Sequence, residues 1–193
     1  MKIEKIGADR QTVSRWSGGT TTQLAIYPVN ALYADREFLW RVSSAVVELP
    51  ESDFTPLPDY DRILMILEGE LSLSHDGGEE YTLRALEQTA FDGASHTFSR
   101  GQVTDFNLMM RKGRCFGRVE ARMLNEEMWH DALSGEYSTH LLYCTAGRAE
   151  VAAGGEHLLL EKGEAVLLER SAADEICSVS GTATVVLAQM NCH

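Results

Sequence analysis

No apolar run in this chain approaches the roughly 20 residues that a membrane-spanning helix needs. The opening stretch MKIEKIGADRQ has no apolar h-region, so no secretory signal is expected. Cysteine is sparse. Cys115, Cys144, Cys177 and Cys192 show no CxxC spacing, and buried, reduced thiols in a cytosolic protein are the expectation. Proline falls to four residues against sixteen glycines, which suits many turns in an ordered chain. Positive charge is also short. Lys and Arg total 17 against 29 Asp and Glu, for a net charge of −12. Phosphate binding needs a basic face, so a nucleic-acid partner is excluded and an anionic membrane surface is disfavoured. A cytoplasmic location is expected.

The shortage of basic residues is uneven. Residues 1–125 hold 14 Lys and Arg against 18 Asp and Glu; residues 126–193 hold 3 against 11. A small anionic ligand is therefore expected to bind in the first part.

What is present is a series of short β-like runs between turn signals. Thr21–Tyr27 alternates and ends at Pro28. Leu39–Leu49 puts Leu39, Arg41, Ser43, Ala45 and Val47 on one face by the period of two. Arg62–Leu67, Leu71–His75, Glu80–Leu83, Gln88–Phe91, Thr97–Phe98 and Asp105–Arg111 follow. Asp76-Gly77-Gly78 reads as a hairpin signal, and Glu68-Gly69-Glu70 as a second tight connection. The pattern breaks at Glu126–Leu133, which reads as a short helical bridge. Runs resume at Thr139–Thr145, Arg148–Ala153, His157–Leu160, Ala165–Glu169, Glu175–Val179 and Ala183–Met190. Strands at this spacing predict an all-β sandwich or barrel of the jelly-roll type. Ile63–Ser74 (ILMILEGELSLS) and Leu141–Val151 (LLYCTAGRAEV) echo one another as strand, glycine turn, strand. Two copies of one β-unit, residues 1–125 and 126–193, are the simplest account.

Several separated motifs resemble the HutD/Ves family. They are Trp16-Ser17-Gly18-Gly19-Thr20 with Gln23-Leu24, Trp40-Arg41-Val42-Ser43-Ser44-Ala45, Tyr60-Asp61-Arg62, Phe91-Asp92-Gly93 and Asp105-Phe106-Asn107-Leu108-Met109. They occur in order across about residues 10–125; residues 126–193 match in length and strand pattern. The resemblance implies a bicupin, two jelly-roll, cupin-like β-barrel halves packed together. The family takes its name from a place among histidine-utilisation genes.

Metal-binding cupins carry two motifs that supply three histidines and a glutamate. Aligned through Gly69, the glutamate position falls on Arg62, and the paired histidine positions fall on Pro56 and Pro58 or on Thr55 and Leu57. The second motif lands on Phe91-Asp92-Gly93, with His96 at its histidine position and Arg100 at its asparagine position. A transition metal needs three or more converging donors, and a guanidinium cannot be one. In the second half, His140 and Asp174 fall at ligand positions without partners. No metal and no cofactor are expected.

A guanidinium inside a barrel needs a partner. The candidate interior set is Arg41, Ser43, Arg62, Asp105 and Asn107, with Trp16 and Thr20 near the mouth and His96 at the pocket or its rim. In one reading, Arg62 or Arg41 pairs with Asp105 or Asp61 and the cluster only closes the barrel. In the other, one arginine pairs with Asp105 and the second offers its fork to a ligand carboxylate. The leading expectation is a metal-free binding or regulatory protein for a small carboxylate. The alternative is a metal-free isomerase, lyase or hydrolase with His96 or Asp105 as proton carrier. A third class is an interaction protein, a homodimer joined through sheet edges.

Overall fold

The computed structural model describes residues 1–130, 132–133, 135–172 and 175–193. It is all-β, and the only helical segments among the described residues are single 3-10 turns at Ala8–Arg10 and Tyr33–Asp35. None is long and apolar enough to cross a membrane. The chain divides into two compact units, Thr12–Phe116 and Met1–Gln11 with Gly117–His193.

The unit Thr12–Phe116 contains ten strands. They are β2 (Thr12–Trp16), β3 (Gly19–Tyr27), β4 (Trp40–Val47), β5 (Glu51–Asp53), β6 (Tyr60–Glu68), β7 (Glu70–His75), β8 (Tyr81–Arg84), β9 (Gln88–Asp92), β10 (Thr97–Arg100) and β11 (Val103–Arg111). Six form one sheet in the order β2-β3-β4-β11-β6-β9, and four form a second in the order β5-β10-β7-β8. Both sheets are open; neither closes into the barrel that the sequence suggests. The hairpin signal at Asp76-Gly77-Gly78 holds, whereas the tight connection at Glu68-Gly69-Glu70 passes from one sheet to the other. Gly69 turns β6 into β7, and the β7–β8 connection carries Asp76 and Gly77 with φ of 53° and 72°, the positive values such a turn requires.

Alternation then decides what each face does. Val47, Leu64, Ile66 and Val103 from the larger sheet meet Leu71, Leu73 and Leu83 from the smaller in one buried cluster. A second cluster joins Ile26, Phe38, Leu57, Tyr60 and Met109, with Tyr33 packed against it. Phe38 stacks on Tyr60 at 4.3 Å between ring centroids, and the Tyr60 hydroxyl donates to the carbonyls of Arg36 and Phe38. These contacts anchor the turn that carries Tyr33.

The other unit is built on one six-stranded sheet. Its strands are β1 (Lys2–Ile6), β12 (Cys115–Asn125, mostly within this unit), β13 (Thr139–Ala153), β14 (Glu156–Glu161), β15 (Ala165–Glu169) and β16 (Cys177–Cys192). Their order is β1-β15-β13-β16-β12, with β14 also on β13. The N-terminal strand pairs with β15, so the first eleven residues group with the end of the chain and not with residues 12–116.

The echo between halves is not reproduced. Ile63–Ser74 runs from β6 of one sheet through a turn into β7 of the other, whereas Leu141–Val151 lies within the single strand β13. Gly147 and Gly181 are bends within two long paired strands, not turns between short ones. Gly147 has φ of 72°, and a Cβ there would lie 2.1 Å from the Thr182 carbonyl oxygen. Gly147→Ala is expected to cost on the order of 2–3 kcal/mol in urea unfolding, from strain and clash together. Gly155→Ala should cost less, since Gly155 also has positive φ but open space around it. The bridging helix is absent too. Among the described residues of Glu126–Leu133 there is none, and Trp129 instead bridges Val179. Cys144 and Cys177 are buried free thiols. Cys115 and Cys192 are disulfide cysteines, so the reduced-thiol expectation holds for two of the four.

Candidate functional site

The antiparallel register of the larger sheet of Thr12–Phe116 builds the site. Asp105, Asn107 and Met109 alternate onto one face of β11. Opposite them on β4 lie Ala45, Ser43 and Arg41, and on β6 lie Ile66, Leu64 and Arg62. The inner face is therefore apolar along the lower part of β6 and polar where β4, β11 and Arg62 meet. There it lines a cavity of about 590 Å³.

Five of the eight residues singled out from sequence lie deep in this cavity: Arg41, Ser43, Arg62, Asp105 and Asn107 are all buried and all line it. Trp16 lines it as well, partly exposed at the mouth. Thr20 does not. It sits opposite Arg15 and Val46, on the outward parity of β3, and its neighbour Thr21 lines the cavity in its place. His96 is also outside the lining. Its exposed ring contacts the Asp53 carboxylate at 3.0 Å, and Asp53 itself is a lining residue. Arg100, at the second-motif asparagine position, points outward and pairs with Glu51 and Glu80 at 2.9 and 2.7 Å.

The two arginines are held differently. Arg41 donates from Nε to Gln23 Oε1 at 2.8 Å and from Nη1 to Ser43 Oγ at 3.1 Å, with its guanidinium 4.2 Å from the Tyr33 ring centre. Arg62 is barely held. Among the described residues its only hydrogen bond is a 3.5 Å contact from Nη1 to the Thr55 carbonyl, and its buried Nε has no partner. The rings of Phe54 and Phe91 flank it at 5.0 and 5.2 Å. Burial lowers the pKa of both arginines, that of Arg62 to about 10.

Neither arginine forms an ion pair with Asp105 or Asp61, which corrects both pairings considered from the sequence. Asp61 is exposed, opposite Asp92 on the outward parity of β6. Asp105 accepts a hydrogen bond from the Ala45 backbone N–H, and burial lifts its pKa to about 7 against the opposing pull of Arg62 and Arg41. Asn107 Oδ1 is buried without a partner.

Among the described residues, no three His, Cys, Asp or Glu side chains gather in a group able to hold a metal ion. A divalent cation in this cavity would face two guanidiniums and a single buried carboxyl, so these side chains do not fit one. In the other unit His140 is fully buried. Its Nε2 bonds the Tyr137 carbonyl at 3.0 Å, and its Nδ1 lies 3.1 Å from Gln189 Nε2. It is a satisfied core histidine. Asp174, its companion candidate, lies outside the described residues.

Sequence reading missed Gln23, Tyr33, Phe54 and Thr55. The parity of Gln23 is hidden by a register shift between Gln23 and Ala25. Tyr33, Phe54 and Thr55 approach from segments with no alternation to read.

A family model described as HutD matches residues 8–187. The chain is similar to a conserved protein of unknown function from Pseudomonas aeruginosa, with 23% identity, TM-score 0.85, and coverage of 99% of this chain and 100% of that one. It is similar to HutD from Pseudomonas fluorescens, solved in a formate condition, with 23% identity, TM-score 0.74, and coverage of 98% and 100%. A cupin 2 conserved barrel domain protein from Leptotrichia buccalis has 12% identity, TM-score 0.55, and coverage of 99% and 98%. At these identities the likeness establishes a cupin-like fold. No curated protein matches the chain.

Proposed function

The chain belongs to the HutD family, and from that premise we propose that it is a metal-independent protein that binds a small carboxylate in the cavity of Thr12–Phe116. One observation carries the reading: Arg62 is a buried guanidinium that opens into a cavity, with one long hydrogen bond, an unpartnered Nε and no acid within ion-pair distance. A buried charge left in this state is destabilising unless something else pairs with it. A ligand carboxylate supplies the missing charge and matches the planar fork. Arg41, pre-set by Gln23 and Ser43, stands beside it, and Asn107 and Ser43 offer neutral polar contacts.

Urocanate and formylglutamate are the first probes, because the family name places its members among histidine-utilisation genes. Isothermal titration calorimetry should give saturable binding of at least one of them, with dissociation constants below millimolar. Absence of binding by any small carboxylate at millimolar concentration would sink the proposal.

A second reading, a metal-free enzyme, is favoured by Asp105. A buried carboxyl titrating near 7 beside two cations is placed to take and return a proton. His96 is less suited to that role, since its ring is exposed and lies on Asp53. Turnover lost in Asp105→Asn with ligand affinity retained would favour catalysis over binding alone. A cytoplasmic location, a homodimer and a chain of two cupin-like halves are parts of the same proposal. The last is supported by the cupin-like neighbours and not by any closed barrel.

A further inference from the structure

The charge of the cavity says more about its ligand than a single carboxylate accounts for. Arg41 and Arg62 lie opposite Met109 on its two sides, and both share its face of the sheet. Their Cα atoms are two strand spacings apart, roughly 10 Å. Every hydrogen-bond acceptor that holds them is neutral: Gln23 Oε1 and Ser43 Oγ for Arg41, the Thr55 carbonyl for Arg62. The aromatic rings of Tyr33, Phe54 and Phe91 shield the two cations without neutralising them. Acids are plentiful in this chain, and the exposed Arg100 has two of them. Yet neither buried cation has an acid within ion-pair distance, and Asp105 acts on both only from farther off. The charge of Arg41 also disfavours that of Arg62.

Resting on the carboxylate reading above, we propose that the site selects dicarboxylates over monocarboxylates, with one carboxylate on each guanidinium. Arg41 is then a specificity-determining residue, and Asn107 and Ser43, on the level next to Met109, contact the chain between the two acid groups. Asp105 lies one level further along β11. The charged and titratable groups around it in the cavity are Arg41, Arg62 and Tyr33, with Asp53 engaged by His96. A dianion balances the two arginines fully only when Asp105 is neutral, so the diacid is bound together with a proton.

The test compares each of succinate, glutarate and adipate with its own monomethyl ester, by calorimetry at pH 7.5 in two buffers of different ionisation enthalpy. The best diacid should bind at least about tenfold more tightly than its ester, a difference of about 1.4 kcal/mol. Its binding should take up roughly half a proton or more, against less for the ester. In Arg41→Met the ratio should collapse toward one, with ester affinity largely kept. If Arg41→Met does not fold, the wild-type ratio and the proton uptake still decide the matter. Equal affinities for diacid and ester, or equal proton uptake, overturn the dicarboxylate proposal and leave the carboxylate reading intact. Failure of every acid and ester to bind overturns the carboxylate reading itself.

Discussion

Replacing Arg62 by methionine is expected to make the empty protein more stable while removing ligand binding. The two effects have one cause. Arg62 is buried, its Nε is unpartnered, and its single hydrogen bond to Thr55 is long. Folding therefore desolvates a cation and returns little for it. Methionine is of similar length and would lie between Phe54 and Phe91, where a thioether packs well. Exchange of poorly satisfied buried ions for apolar residues can be stabilising by about 1–4 kcal/mol. A gain of about 1–2 kcal/mol in urea unfolding is expected, because the Thr55 carbonyl loses its donor. Carboxylate affinity should fall by about 30- to 100-fold, the value of a charge-assisted contact. A purely structural Arg62 predicts the opposite sign: loss of stability, with no ligand effect to measure.

The second large effect is a pair of opposing pH dependences, one in each unit. The pKa of Asp105 rises from 3.8 to about 7 on folding, chiefly through burial. The folded state holds the proton more tightly, so the stability this group contributes is full below about pH 4 and is lost as pH rises through 7. The pKa of His140 falls from 6.5 to about 4, again chiefly through burial. Its contribution is full above about pH 6.5 and is lost as pH falls through 4. Each span is on the order of 3–4 kcal/mol. Between about pH 4 and 7 the two slopes oppose, so the wild type should vary little.

Asp105→Asn should uncover the histidine slope, gaining stability mainly near pH 8. His140→Gln should uncover the carboxyl slope, gaining mainly near pH 4.5. Urea titrations at half-unit pH intervals would resolve both. Parallel pH profiles for wild type and Asp105→Asn would show that Asp105 is not held protonated in the folded protein.

Part of this was legible in the residues. Asp105, Asn107 and Met109 share a face by the period of two, as do Arg41, Ser43 and Ala45, and both strands folded in that parity. The same arithmetic puts Thr20 on the outward parity of β3, away from the mouth where it is expected with Trp16. His96 was placed through a motif alignment, which fixes a position along the chain but not the side of the sheet a turn residue faces. The glycine signals divided in the same way. Gly69 and Gly77 open real turns, but Gly147 and Gly181 allow two long strands to approach closely, and both uses look alike in sequence.

By itself the sequence determined the all-β class, the family, and the concentration of basic residues in the first part, Arg62 among them. These depend on residue type, spacing and order, which the chain carries locally. Only the tertiary structure decided whether that arginine was spent on Asp105. Residues in adjacent strands can face the same cavity and still fall short of contact, because side-chain reach, and not strand register, sets the last few ångströms. Here neither arginine is spent in an ion pair: Asp105 shares the cavity and acts on both cations, but contacts neither within ion-pair distance.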